Sequence, residues 1–344
     1  MLWGRRVGRK EDRNEKSESD QAVNASLTSS YLALSLYTDQ FCIAEIENGI
    51  VKAIAARELI QPFKIESFQE GTEWLSNQSN VLHDLCQKIE TQTRKVGVVL
   101  NSGMVLVKKV SVALGLDEKM TKEHILWEAK QCLVSSLDEY VMDYQRLPFK
   151  TQEGNPIFLM ILVRKSVLKG VRTLVESVGL NLKEIDIDVF SNIRAILSNY
   201  DFDENEISVL VDIQREYLSF AVIRQKEFFL SHRVLLSSRG FFTRENILDL
   251  IHVLLKELRR LIFGHRIGRD IEDLNRIFIM GSDLAQKVYQ ELSSSVSVAV
   301  EVVNPFRRIR VSQSVSQSKE YNNSPERFVS LIGIMLKKAP TLAN

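Results

Sequence analysis

The chain has 344 residues, 44% apolar and 26% charged, which is ordinary globular composition and long enough for two domains with sizeable cores. A net charge of +1 excludes a global field that would gather nucleic acid or anionic membrane. Three scattered cysteines (Cys42, Cys86, Cys132) give no metal spacing and fit a reducing compartment, and no apolar run approaches the ~20 residues of a membrane-spanning helix.

Residues 1–29 are polar with both signs of charge and read as a disordered tail. MLWGRRVGRKEDRNEK lacks the apolar centre of a secretory signal. Trp3 beside Arg5, Arg6, Arg9 and Lys10 is a pattern that can touch an anionic membrane surface, but acidic residues follow at once and favour a solvated tail. From Leu34, LSLYTDQFCIAEIENGIVKAIA reads as strand, turn, strand, short turn, strand. A polar–apolar segment at 66–92 and the apolar strand VGVVL at 96–100 follow.

An extra block comes next. MVLVKKVSV is a strand, and MTKEHILWEAKQCLV is a helix with Thr121 as N-cap and Met120 and Ile125 as a hydrophobic staple. YVMDYQRLPF and NPIFLMILVRK are strands joined at Gly154-Asn155-Pro156, and VLKGVRTLVESVG is a helix ending at Gly179. The order β-α-β-β-α fits a small α+β subdomain inserted into the first half. On the Thr121 helix, Ile125, Ala129, Cys132 and Leu133 form one apolar stripe and Trp127 lies well off it. That ring needs another cover, and a neighbouring subdomain is a simpler one than a partner.

The second half repeats the first. VDIQREYLSFAVIRQKEFFLS starts at Val211 and aligns with the first meander, without a gap, at a constant offset of 177. Ile43 meets Phe220, Ala44 meets Ala221, Ile46 meets Ile223 and Asn48 meets Gln225, so the protein is read as an internal duplication. ENILDLIHVLLKELRRLIF (245–263) carries apolar residues at helical spacing. RIFIMG (276–281) is a buried strand ending at a glycine, followed by helix 283–292 and strand 298–303. Alternating strands and helices argue for α/β layers.

Familiar catalytic motifs are missing. There is no Gly-x-x-x-x-Gly-Lys loop, Gly-x-Gly-x-x-Gly or Gly-x-Ser-x-Gly elbow, and the five histidines form no zinc pair. His232 and His252 flank apolar residues and read as core or interface residues. The run Arg307-Arg308-Ile309-Arg310 offers charge to an acidic partner but lacks the aromatic interleaving of a nucleic-acid surface.

The duplicated meander with an inserted subdomain resembles the actin-like ATPase superfamily, and within it the type IV pilus assembly protein PilM family, related to FtsA. The resemblance covers roughly 31–338. ILWEAKQCLVSSLDEYVMDYQ (125–145) carries Trp-Glu-Ala, a Gln two residues on, and Asp-Tyr-Gln as in the PilM pattern. VVLNSGMVLVKKVSV (98–112) and VEVVNPF, ending Asn304-Pro305-Phe306, follow the family's order as well.

The resemblance implies an α/β chain of actin-like (ribonuclease H-like) duplicated domains with an inserted 1C-like α+β subdomain. It assigns 30–100 to subdomain 1A, 101–181 to the insertion, 182–206 to the return to 1A and 207–339 to subdomain 2A. Only about a dozen residues separate Leu236 from the helix near Ile247, so subdomain 2B is expected to be missing or reduced. Family members bind ATP between two lobes at the cytoplasmic face of the inner membrane. They grip the short N-terminal peptide of a bitopic pilus protein, PilN.

The nucleotide positions depart from the family. Its first phosphate turn, Asp-Ile-Gly-Ser-Ser-Ser, stands here as Ser35-Leu36-Tyr37-Thr38-Asp39-Gln40. In the second turn Asp212 survives, Gln214 replaces the glycine, and Arg215, Glu216 and Tyr217 replace the small hydroxyl residues. A side chain at either glycine fills the phosphate's volume. The adenosine motif keeps one glycine, Gly281, before Ser282. Ser35, Tyr37, Asp212, Gln214, Gly281 and Ser282 are thus vestigial, with Asp212 expected to cap its turn or to pair with Arg215, and neither cofactor nor metal is expected.

The reading that follows is a non-catalytic cytoplasmic scaffold, peripheral at the inner membrane, that holds a PilN-like tail. Val105, Val107, Trp127, Glu128 and Tyr144 are its expected partner-binding residues, and self-association is open to it. The alternatives are a divergent but active ATPase, which would use ATP and Mg, and an FtsA-like filament former.

Overall fold

The computed structural model describes residues 30–60, 63, 72–236, 244–282 and 284–337. In chain order the first meander is β1 (Tyr31–Leu36), β2 (Gln40–Glu47) and β3 (Ile50–Glu58), followed by α1 (Thr72–Lys88) and β4 (Lys95–Leu100). The extra block holds β5 (Val105–Ser111), α2 (Glu118–Cys132), β6 (Tyr140–Lys150), β7 (Pro156–Arg164) and α3 (Lys165–Ser177). Then come β8 (Asn181–Ile187) and α4 (Asp188–Asn199). The second meander is β9 (Ile207–Ile213), β10 (Tyr217–Arg224) and β11 (Glu227–Leu235), followed by α5 (Arg244–Gly264), β12 (Arg276–Gly281), α6 (Ala285–Ser295) and β13 (Ala299–Val302). The chain closes with β14 (Arg310–Val311), the short helices α7 (Gln313–Ser316) and α8 (Lys319–Asn323), and α9 (Val329–Met335).

Two sheets of one plan result. The first has the order β14-β3-β2-β1-β4-β8 and the second β11-β10-β9-β12-β13. In each, an antiparallel meander is extended by two parallel strands. The central strands are buried nearly throughout because both faces are covered, which is why β1 and β9 read as continuous apolar runs.

The offset of 177 survives in the register. Leu36 opposes Phe41 in the first sheet, and Ile213 opposes Leu218 in the second. A bulge falls between Glu45 and Ile46, and its counterpart between Val222 and Ile223. Both second turns put two residues at positive φ, as a two-residue hairpin of matching twist requires. Asn48 (51°) and Gly49 (77°) do so in one, Gln225 (52°) and Lys226 (58°) in the other, without a glycine.

The third sheet, order β5-β7-β6, is antiparallel throughout. Its alternation splits two cores. Val110, Met160 and Leu162 meet Ile125 and Ala129 of α2, while Leu159, Ile161 and Val163 join the core of the first lobe.

Four expectations need correcting. Helix α2 begins earlier, with Asp117 as N-cap: its carboxylate accepts the Met120 amide at 2.7 Å, so Thr121 lies inside the helix and the exposed Met120 staples nothing. Trp127 is 55% exposed and, among the described residues, stacks on His124 of its own helix, so the neighbouring subdomain does not cover it. The block 101–181 is too wide, because Val167, Val171 and Leu174 of α3 pack in the first-lobe core. The block 207–339 is too wide at its other end. There β14 pairs with β3, and α9 packs so closely on α4 that a Cβ on Gly333 would stand 1.8 Å from the Ser191 carbonyl oxygen. The tail at 1–29 and the segment 237–243, where subdomain 2B was expected to be missing or reduced, lie outside the described residues.

Candidate functional site

The pseudo-symmetry of the lobes brings the first turns of the two meanders together. Arg215, in the β9–β10 turn, reaches across to Glu58 at 2.9 Å and Asp39 at 3.8 Å. It therefore ties the second lobe to the first and is not the partner of Asp212.

Each turn engages one amide within itself and offers carbonyls to its neighbours. The Tyr37 amide donates to the Gln40 carbonyl at 3.1 Å, and the Gln214 amide to the Tyr217 carbonyl at 3.0 Å. Phe63 and Leu59 donate to the Thr38 and Asp39 carbonyls at 2.7 and 2.8 Å, and Leu236 to the Glu216 carbonyl at 2.8 Å. A phosphate cradle needs free, convergent N–H groups, and the Tyr37 and Gln214 amides are engaged inside hairpins.

Side chains fill the remaining space. Tyr37, Gln214 and Tyr217 are all buried, Tyr37 with 2% of its surface exposed. The void between Asp188, Asn192, Asp212 and Ser219 has room for about one water. Cofactor pockets run to several hundred Å³. Gly281, at φ 121°, supports its own close packing: a Cβ there would lie 2.2 Å from the Ile213 carbonyl oxygen and 2.7 Å from Asp212 Oδ1. Next to it the Ser282 amide donates to the Ile213 carbonyl at 2.8 Å, and Ser35 is buried in β1. Tyr37, Asp212, Gln214, Gly281 and Ser282 thus meet in a packed seam, and Ser35 is buried in β1 two residues before Tyr37. A nucleotide does not fit these residues.

The seam is polar at its centre. Gln214 Nε2 donates to Asp212 Oδ1 at 2.6 Å. Burial, and then the Asp188 carboxyl, push Asp212 up to about 8; burial pushes Asp188 up to about 6. Arg233 on β11 is the compensating cation. Its guanidinium lies 3.6 Å from the Tyr217 ring centroid and donates to Asn101 Oδ1 at 2.7 Å. Asn101 Nδ2 donates to Tyr217 Oη, and Asn101 Oδ1 also accepts the Gly103 amide at 2.7 Å. A first-lobe residue is thereby bonded to two second-lobe residues.

Sequence reasoning missed Asn101, Asp188 and Arg233. The duplication held a usable signal for Asn101. It follows β4 as Ser282 follows β12, since Leu36 pairs with Leu100 and Ile213 with Gly281.

The five expected partner-binding residues do not share one surface. Val105 and Val107 are half-buried on the face of β5 that meets the first-lobe core. Glu128 is bonded to Lys108 at 2.9 Å on the opposite face, where Tyr144 packs edge-on to Phe158. Trp127 points away from both. Strand β5 is an edge: among the described residues it pairs with β7 alone. His232 is half-buried and bonded to Glu257 at 3.2 Å, whereas His252 is exposed and not a core residue. Arg307 and Arg308 are paired with Glu301 (3.3 Å) and Asp201 (2.5 Å). Among the described residues no acid, histidine and cysteine cluster is disposed to hold a metal, and no helix is long and apolar enough to cross a membrane.

Comparison with known proteins follows the same lines. A family model described as type IV pilus assembly protein PilM matches residues 52–234. No curated protein matches the sequence. A solved PilM-PilN type IV pilus biogenesis complex is similar in structure with a TM-score of 0.73 at 18% identity, over 89% of this chain and 97% of that one. A Bacteroides thetaiotaomicron protein of unknown function with an actin-like ATPase fold is similar at a TM-score of 0.45 and 13% identity, over 82% and 93% of the two chains. The cytoplasmic domain of EpsL from the type II secretion system of Vibrio cholerae is similar at 0.48 and 11%, over 92% and 99%. The likeness to the PilM-PilN structure shows a shared fold.

Proposed function

Since the chain belongs to the type IV pilus assembly protein PilM family, we propose that it is a platform protein of such an assembly that works without nucleotide and holds the short N-terminal tail of a bitopic PilN-like membrane protein. The similar solved structure is a PilM-PilN complex, which supports the choice of partner. The observation that carries the reading is the packed seam: buried Tyr37 and Gln214 stand at the two glycine positions, and their amides are hydrogen-bonded within the hairpins. An actin-like protein that uses ATP needs both turns open.

The tail docks along the free edge of β5, where backbone groups give affinity and half-buried Val105 and Val107 offer apolar contact on alternate positions. Tyr144 lies on β6, across the sheet from that edge, and Glu128 is engaged by Lys108 on the opposite face of β5, so neither they nor the exposed Trp127 are needed for it. The protein is then peripheral at the cytoplasmic face of the inner membrane, through its partner.

Calorimetric titration tests both halves. Mg-ATP is expected to give no binding heat. The N-terminal peptide of a bitopic protein encoded beside this chain is expected to bind saturably, and Val107→Lys to weaken that binding about tenfold or more, a loss of ~1.4 kcal/mol. Micromolar ATP affinity would overturn the nucleotide-free reading. Peptide affinity indifferent to Val107→Lys would move the tail off β5.

A further inference from the structure

We propose that Cys132 and Lys108 form a redox modification site, at which a peroxide joins the end of α2 to the middle of β5 through a reversible sulfur–nitrogen bond. The sulfur is the meeting point of three groups. Lys108 Nζ donates to Cys132 Sγ at 3.0 Å and to Glu128 Oε2 at 2.9 Å. The Cys132 thiol in turn donates to the Glu128 carbonyl at 3.1 Å, so its proton points back along the helix and its lone pairs face the amine. Local folding sets this up. Cys132 follows Glu128 by one helical turn, and Lys108 lies on the same face of β5 as Leu106 and Val110, the face that packs against α2.

Cys42 and Cys86 are set differently. Burial pushes the Cys42 thiol up to about 12 and raises that of Cys86 as well, and a protonated thiol is a poor nucleophile. Cys132 is half-buried, and the Lys108 and Glu128 side chains are 39% and 24% exposed, so a molecule as small as hydrogen peroxide reaches the sulfur. Hydrogen bonds to Cys132 and then to Glu128 hold Lys108 above the usual lysine value, which keeps it an ammonium while the sulfur is reduced.

The chemistry balances with one peroxide. Sulfur attacks a peroxide oxygen: an S–O bond forms, the O–O bond breaks, sulfur gives up two electrons, and the thiol proton leaves with the other oxygen as water. The Lys108 ammonium stabilises the negative charge that develops on sulfur in this step. Lys108 then passes one proton to the Glu128 carboxylate, and the free amine attacks the sulfenyl sulfur. An N–S bond forms, the S–O bond breaks, and the departing hydroxide takes the next proton from nitrogen as water. Nitrogen and sulfur are already in contact, so this second step needs no search for a partner. The sum is thiol, amine and peroxide to a sulfenamide and two waters, and an added thiol reopens the bond by attacking the sulfur. The link fastens α2 to β5 and removes the Lys108 charge, whether or not the edge of β5 holds a tail.

Mass spectrometry of the full chain after a small molar excess of hydrogen peroxide tests this. The wild type is expected to lose two hydrogens, its tryptic map to show the segments holding Lys108 and Cys132 joined, and dithiothreitol to restore the reduced mass. Lys108→Arg keeps a cation at the sulfur but no nucleophilic amine. That variant, with unchanged circular dichroism, is expected to stop at the sulfenic acid, gaining one oxygen and then a dimedone adduct at Cys132. A wild type without the joined segments overturns the proposal. So does oxidation of Cys42 or Cys86 ahead of Cys132, or a Lys108→Arg variant that loses the same two hydrogens.

Discussion

Burial and the neighbouring Asp188 carboxyl push Asp212 up to about 8, whereas a free aspartate titrates near 3.9. Between those two pH values the folded chain keeps a proton that the unfolded chain has released. Stability therefore falls as pH rises from about 4 to about 8 and levels off above that. Asp188, at about 6, acts in the same direction over the lower part of the range. Asp212→Asn keeps an oxygen for Gln214 and removes the titration. Urea denaturation is expected to find the variant more stable than the wild type at pH 8, with the gap shrinking toward pH 4 by more than about 1.4 kcal/mol, the equivalent of one pK unit. Parallel pH curves would mean that Asp212 is ionised in the fold. The sequence marked Asp212 as a survivor of a lost site. Its protonation was not legible, because it depends on Asp188, Gln214 and Arg233 arriving from three other positions in the chain.

Two clamps join the lobes, and they differ in depth. The Arg215–Glu58 pair is partly exposed at both ends, and such pairs contribute about 0–1 kcal/mol. Arg233 lies over the Tyr217 ring and bonds the buried Asn101, so its removal strands polar groups out of water and costs about 2–3 kcal/mol. Guanidinium denaturation of Arg215→Ala and Arg233→Ala is expected to show that order; the reverse order would make the outer clamp the real joint. At this scale the sequence was generous with strands, since β1 to β3 and β9 to β11 alternate or run apolar between clear turns. It was poorer at helix ends. The start of α2 was concealed because Glu118 and Lys119 are polar and Thr121 mimics a cap, whereas Asp117 holds the Met120 amide. The position of Trp127 off the core stripe was readable from 100° geometry, but what lay opposite it was not.

The duplicated plan was legible from one ungapped offset, because register and bulge are local properties that the repeat carries with it. The return of α9 to the first lobe was not, since nothing in VSLIGIM names the surface it will cover. With the lobes joined through Arg233, Asn101 and Tyr217, they form a fixed frame rather than a jaw. Small-angle scattering is accordingly expected to be superimposable with and without Mg-ATP, and a nucleotide-dependent change in radius would contradict a joined frame. The burial of Tyr37 has a consequence for the whole seam too. Placing glycine at 37 would leave a hole in a core, and trimming a buried aromatic costs about 3–5 kcal/mol. The amide it would expose is already spoken for by Gln40. A glycine there would thus weaken the protein well before it opened room for a phosphate, so the packing of this one ring makes the closed seam self-locking.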